Sequence, residues 1–209
     1  MIKKLPLLIA AITVCGASCV FANEIPVDVV KESIVKHSLE LNIEPALALS
    51  IAKKESNYKH SVRSRHGAVG VFQLMPSTAK KLGVNPYYLS ENIKGGLTYY
   101  KMMYDMFGST ELALAAYNAG PGNVKKYNAI PPFTETKNFV SRIMADYHSL
   151  KDNPDPIITK VLDEQKKALI SEEDTIPVAE IKATEETPEL PKIDEIPEVR
   201  EPSVEMQTL

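Results

Sequence analysis

Apolar residues recur three and four positions apart through the middle of the chain, a period that predicts helices rather than strands. Over residues 27–41 the stripe runs Val30, Ile34, Val35, Leu39 and Leu41, with Pro26 suited to a first turn. Pro45 opens a second helix in which Ala48, Ile51 and Ala52 share one face. The next member of that stripe is Glu55, a carboxylate where the pattern asks for an apolar residue. Lys53 and Lys54 fall on the opposite, wet face. A carboxylate on a buried stripe loses hydration, so its charged form is disfavoured and its pKa should rise. A general acid that works near neutral pH needs that property.

The rest of the pattern is also helical. Residues 57–69 are polar and read as a loop. A short helix starts at Met75-Pro76-Ser77 and stops near Gly83. A long helix over 90–107 ends at Gly108 and contains Gly95-Gly96, which costs helix stability and signals the close approach of another backbone. Ser109-Thr110-Glu111 caps a helix through Ala119, and Gly120-Pro121-Gly122 is read as its break. A last helix spans 134–150. No pair of alternating strands is evident, so the predicted class is all-α, with room for one small β-like or irregular loop.

Composition divides the 209 residues into three parts. Lys3 and Lys4, the apolar run 5–14 and the small or modest residues Val20-Phe21-Ala22 make residues 1–22 read as a secretory signal peptide. That reading predicts an exported, periplasmic protein. Both cysteines, Cys15 and Cys19, lie within the signal, so no disulfide framework is expected after cleavage. A lipid anchor on Cys19 is the alternative, and Gly16-Ala17-Ser18-Cys19 matches that cleavage pattern poorly. Residues 151–209 carry 16 acidic and 7 basic side chains, 7 prolines, no glycine and no aromatic residue. Such a segment reads as a mostly disordered, extended tail. Within it, 157–170 has helical spacing at Ile158, Val161, Leu162 and Leu169, enough for a short helix against the domain. Residues 23–150 are left for one domain, with 15 basic and 11 acidic side chains. The net charge of −3 conceals a mildly basic body, suited to an anionic polymer, joined to an acidic tail.

Three motifs carry the chemistry: Glu55-Ser56, the run from Gly67 to Pro76, and Ala115-Ala116-Tyr117-Asn118-Ala119-Gly120-Pro121-Gly122. With Asn92-Ile93, Gly96 and Glu135-Thr136, and in this order and spacing, they closely resemble the catalytic domain of the soluble lytic transglycosylases. The resemblance covers residues 43–143 and implies a lysozyme-like helical fold that cleaves bacterial peptidoglycan. It implies that Glu55 is the sole catalytic acid and base, acting between N-acetylmuramic acid and N-acetylglucosamine to leave a 1,6-anhydro sugar. Ordinary glycosidases need a second carboxylate. Here the nucleophile is a hydroxyl of the substrate itself, so proximity within one sugar replaces that group.

The resemblance also implies substrate-binding roles. Ser64 would position substrate near the acid, and Gln73 and Met75 would line the cleft floor. The Tyr117 phenol would assist the cationic transition state while the Asn118 amide fixes loop or sugar. Glu135 would sit near the peptide-bearing side. Two departures stand out: Phe72 where many relatives have methionine, and Phe139 where the family often has tyrosine.

Other chemistries find no support. Ser33-x-x-Lys36 and Ser50-x-x-Lys53 lack the Lys-Thr-Gly partner of serine enzymes that act on wall peptides. His37, His60, His66 and His148 lack metal-ligand spacing, so no metal and no cofactor are expected, and no nucleic-acid motif is present. The partners expected are peptidoglycan glycan strands and, through the C-terminal tail, a protein of an envelope machine. The alternatives are a lysozyme-type hydrolase and a glycan-binding assembly module.

Overall fold

Two helices, each with a stretch that is largely apolar all round, form the inside of the protein. They are α2 (Pro45–Ser56), buried without interruption from Ala46 to Ala52, and α5 (Thr110–Ala119), buried from Ala113 to Tyr117. Around them the computed structural model, which describes residues 24–173, arranges α1 (Val27–Glu40), α3 (Pro76–Lys81), α4 (Leu89–Phe107), α6 (Pro121–Tyr127), α7 (Thr134–Asp152) and α8 (Pro156–Glu173). Helix α7 packs against both inner helices, α1 covers α2, and α4 and α6 cover α5. The expected all-α class holds among the described residues, where the β-like element is confined to isolated bridges Arg63↔Val69 and Val69↔Leu74. The signal read over 1–22, with Cys15 and Cys19, and the tail beyond 173 lie outside the described residues.

Helix α4 shows why its glycine pair is needed. A Cβ on Gly96 would lie 2.3 Å from the Cβ of Phe72, and one on Gly95 would lie 2.8 Å from the Val84 side chain. The close neighbour is a side chain: the Phe72 ring, fully buried, lies on the bare backbone of α4.

Two boundaries differ from the sequence expectation. The break after α5 is a single residue, Gly120 (φ 87°), and Pro121 then starts α6. Proline at a first helical position has no amide to lose and a preset φ, so it initiates as readily as it breaks. The second difference is at the C-terminal end. Helix α7 runs to Asp152, and α8 packs on α1 through Ile158 and the fully buried Val161. Lys31 meets Asp155 at 2.6 Å and Lys160 meets Glu32 at 2.8 Å, so charge supplements a small apolar contact. The ordered body thus extends past residue 150, and the helical spacing read over 157–170 corresponds to α8.

Candidate active site

Glu55 occupies the last turn of α2. The helix stops there because Asn57 adopts the left-handed conformation (φ 51°), with its N–H donating to the Lys53 carbonyl at 2.9 Å. Tyr58 follows with a second positive φ of 65°, and Gln73 has a third at 45°. Non-glycine residues held in this region cluster at sites where surrounding structure over-determines the backbone.

Burial pushes the half-buried Glu55 carboxyl up to about 8; the Lys54 ammonium opposes the rise and the Glu135 carboxylate adds to it. The negative end of the α2 dipole works in the same direction as burial. At neutral pH the group is therefore mostly protonated, ready to donate.

A loop tied by side-chain hydrogen bonds lies against the end of α2. Ser56, the residue after Glu55, donates its hydroxyl to the Val71 carbonyl at 2.8 Å, tying the end of α2 to the loop. Asn92, wholly buried in α4, holds the same loop by two bonds and the segment before α4 by a third. Its Oδ1 accepts from the Phe72 N–H at 2.9 Å, and its Nδ2 donates to the carbonyls of Val69 (2.7 Å) and Pro86 (3.0 Å). Gly70 (φ 78°) admits this side chain, because a Cβ there would lie 2.7 Å from Asn92 Nδ2.

Tyr117, near the end of α5, donates its hydroxyl to the Phe72 carbonyl at 2.7 Å. Burial, then the neighbouring Glu55 and Tyr99, push its pKa well above the ordinary phenol value, so it stays neutral. Tyr99 packs on it with ring centres 5.2 Å apart, and Phe139 of α7 stacks on it at 6.4 Å and 9°. The Asn118 amide oxygen accepts from the Thr136 hydroxyl at 2.8 Å, joining the end of α5 to the start of α7. Glu135 precedes Thr136 and is exposed.

The structure therefore brings Glu55, Tyr117, Asn118 and Glu135 into one neighbourhood, with the Gln73 loop against it. The Gln73 amide is turned into its own loop, donating to the carbonyls of Gly70 (2.9 Å) and Val62 (3.4 Å). Met75 is half-buried as the residue before α3. The Ser64 hydroxyl accepts from the Ala68 N–H at 2.9 Å and caps its own loop; no bond to Glu55 is present among the described residues.

Lys54 was assigned to the wet face of α2, yet it is half-buried and lies over the Phe139 ring at 5.6 Å. The periodicity of α2 could not reveal this, because α7 supplies the surface. Tyr99, whose buried hydroxyl has no partner among the described residues, also escaped the sequence reading. Its position seven after Asn92, on the buried face of α4, was the available signal.

The comparisons agree with this architecture. Residues 32–140 match the family model described as the transglycosylase SLT domain. The transglycosylase of Enterobacteria phage PRD1 is 34% identical over 129 residues, which make up 61% of this chain and 46% of that protein. The soluble lytic murein transglycosylase of Escherichia coli K12 is 34% identical over 128 residues, covering 49% of this chain and 20% of its own. Among solved structures, an inactive glutamate-to-glutamine mutant of lytic transglycosylase Slt from Pseudomonas aeruginosa superposes with a TM-score of 0.52 at 28% identity, covering 60% of this chain and 25% of that one. The 70-kDa soluble lytic transglycosylase of Escherichia coli superposes with a TM-score of 0.53 at 27% identity, covering 61% and 25%. The chain spans less than half the length of these curated relatives. It belongs to the transglycosylase SLT family, and its helical domain has that family's lysozyme-like fold.

Proposed function

We propose that the protein is a peptidoglycan lytic transglycosylase that cleaves the β-1,4 bond between N-acetylmuramic acid and N-acetylglucosamine. The observation that carries this reading is Glu55: a half-buried carboxyl, raised to about 8, at the meeting point of α2, α5 and α7. The inactivating glutamate-to-glutamine change in the Pseudomonas relative supports a glutamate in this role.

In the first step Glu55 donates its proton to the bridging oxygen as the bond from that oxygen to the muramyl anomeric carbon breaks. The glucosamine side leaves with a free hydroxyl, and positive charge develops on the muramyl ring. In the second step the Glu55 carboxylate takes the proton of the muramyl 6-hydroxyl while O6 bonds to the anomeric carbon. No water is consumed, and the proton returned restores the acid. A raised pKa serves both steps: the protonated form is populated at neutral pH, and the carboxylate left after donation is a strong base. Tyr117 stays neutral and, held on the Phe72 carbonyl, places its oxygen dipole close to the developing charge.

Gln73, Met75, Asn118 and Glu135 serve this reading as substrate-binding residues, and Ser64 serves it by shaping the loop through Ala68. Export to the periplasm, and local opening of the wall for a secretion, pilus or conjugation machine recruited by the acidic tail, complete the proposal.

Mass spectrometry of soluble fragments from purified peptidoglycan tests it. Fragments ending in anhydro-muramic acid, one water lighter than reducing ends, are expected. Reducing ends would mean that water is the nucleophile. Glu135, the one carboxylate among the described residues that acts on the Glu55 carboxyl, would then be the group to test as its activator. A folded protein that releases nothing would refute the enzymatic reading.

A further inference from the structure

Lys54 precedes the acid by one residue, and its side chain is half-buried beside the site. Its ammonium lies 5.6 Å from the centre of the Phe139 ring, and Phe139 is stacked on Tyr117. The ring face steadies the cation without neutralising it. Among the described residues no carboxylate comes within ion-pair distance of Lys54, whereas Lys53 is paired with Asp146 at 2.6 Å. Glu55 does not compensate it, being mostly protonated at neutral pH. A partly desolvated cation without a counter-ion is unfavourable by itself and is complementary to an anion arriving from outside.

The substrate supplies such an anion at a defined place. The muramyl sugar whose anomeric carbon reacts carries its peptide through a lactyl ether on the same ring. The peptide therefore departs within one ring of Glu55. Glu135 and Phe139 are four residues apart on α7 and so share a face, which puts Lys54 along the wall that starts at Glu135. Among the described residues Lys54 is also the one cation that acts on the Glu55 carboxyl.

We infer that Lys54 is a specificity residue: its ammonium binds a carboxylate of the peptide borne by the muramyl sugar, so that peptide-bearing strands are preferred over bare glycan. The inference rests on the peptidoglycan reading above and names the part of the substrate that this side of the site recognises.

Binding in a Glu55→Gln background tests it, because the strands then survive the measurement. Two ligands are compared: peptide-bearing glycan strands, and the same strands stripped of peptide by an amidase and then capped as the lactyl methylamide, because the amidase leaves a carboxylate on each muramyl sugar. Lys54→Met retains an aliphatic stem over Phe139 and removes the charge; Lys54→Arg retains the charge. We expect Lys54→Met to weaken binding of peptide-bearing strands about tenfold at low salt, with a smaller loss at high salt. Stripped strands should lose less than about twofold, and Lys54→Arg should restore the preference. An equal loss with both ligands would make Lys54 a packing residue and overturn the inference, as would no loss with peptide-bearing strands. If the folded Glu55→Gln parent bound neither ligand, the peptidoglycan reading itself would fail, and this assignment with it.

Discussion

Glu55 and Glu32 have the same side chain, both on helices, and the protein drives them in opposite directions. Hydrogen bonds from Lys160 and Lys36, at 2.8 and 2.7 Å, hold the Glu32 carboxyl down at about 2 on the open face between α1 and α8. Burial at the end of α2 holds the Glu55 carboxyl up at about 8. The first is an ordinary surface anion at every physiological pH. The second is an acid that happens to be a carboxyl. The difference owes nothing to the residue and everything to what α7, α5 and the loop around Phe72 place against the end of α2.

The largest test of this contrast is kinetic. Glu55→Gln should reduce cleavage of peptidoglycan about a thousandfold or more with the fold intact, whereas Glu32→Gln should leave the rate within about twofold. The pH profile sharpens it. In the wild type kcat/KM should fall on the alkaline side near pH 8, where the acid loses its proton. A limb near the ordinary carboxyl value of 4.5 would mean that Glu55 is as solvated as a surface residue.

Next in size is the scaffold that separates the two environments. Asn92→Ala leaves the Phe72 N–H and the carbonyls of Val69 and Pro86 without their buried partner. A loss of about 3 kcal/mol in denaturant unfolding is expected, together with slower cleavage, since the Phe72 carbonyl holds Tyr117. A loss confined to the rate, with stability unchanged, would show that the loop is held by something other than Asn92.

Much of this was legible in the sequence, and the parts that were not share a cause. The stripe Ala48, Ile51, Ala52, Glu55 announced a carboxyl directed inward because periodicity reports which face of a helix meets the protein. Gly96 announced a close approach because only a missing Cβ tolerates one, although the neighbour proved to be the Phe72 side chain. Pro121 misled, since the same fixed φ ends one helix and begins another, and only the geometry of Gly120 decides between them. Lys54 misled for a tertiary reason: its surroundings come from Phe139 of α7, which no pattern internal to α2 specifies. Composition placed the tail boundary at residue 150, while the helical spacing over 157–170 gave the short helix against the domain that two buried side chains and two ion pairs dock as α8.

A smaller effect follows from linkage. The folded-state pKa of Glu55 lies above the ordinary value of 4.5, so the folded protein keeps a proton that the unfolded chain gives up. Its contribution is fully present below pH 4.5 and is lost as pH rises through about 8. Glu55→Gln, which cannot ionise, should therefore be more stable than the wild type by about 1–3 kcal/mol at pH 7 and indistinguishable from it near pH 4. Equal stability at both pH values would mean that the carboxyl ionises freely and would undercut the acid assignment independently of kinetics.

The smallest effect belongs to Glu32, and its sign is the reverse. Its pKa is depressed to about 2, so its contribution is present above pH 4.5 and disappears as pH falls through about 2. The group is partly exposed, its lysine partners are screened by water and salt, and holding three long side chains together costs rotamer freedom. Glu32→Gln should accordingly lower the Tm by no more than about 2 °C at neutral pH, and by nothing resolvable in high salt or at pH 2. A larger drop at neutral pH would mean that the clasp from Glu32 to Lys160, rather than Ile158, Val161 and the Lys31–Asp155 pair, holds α8 to α1. That outcome would break the contrast from the other side, because a surface ion pair would then matter to the fold as much as a buried acid matters to the chemistry.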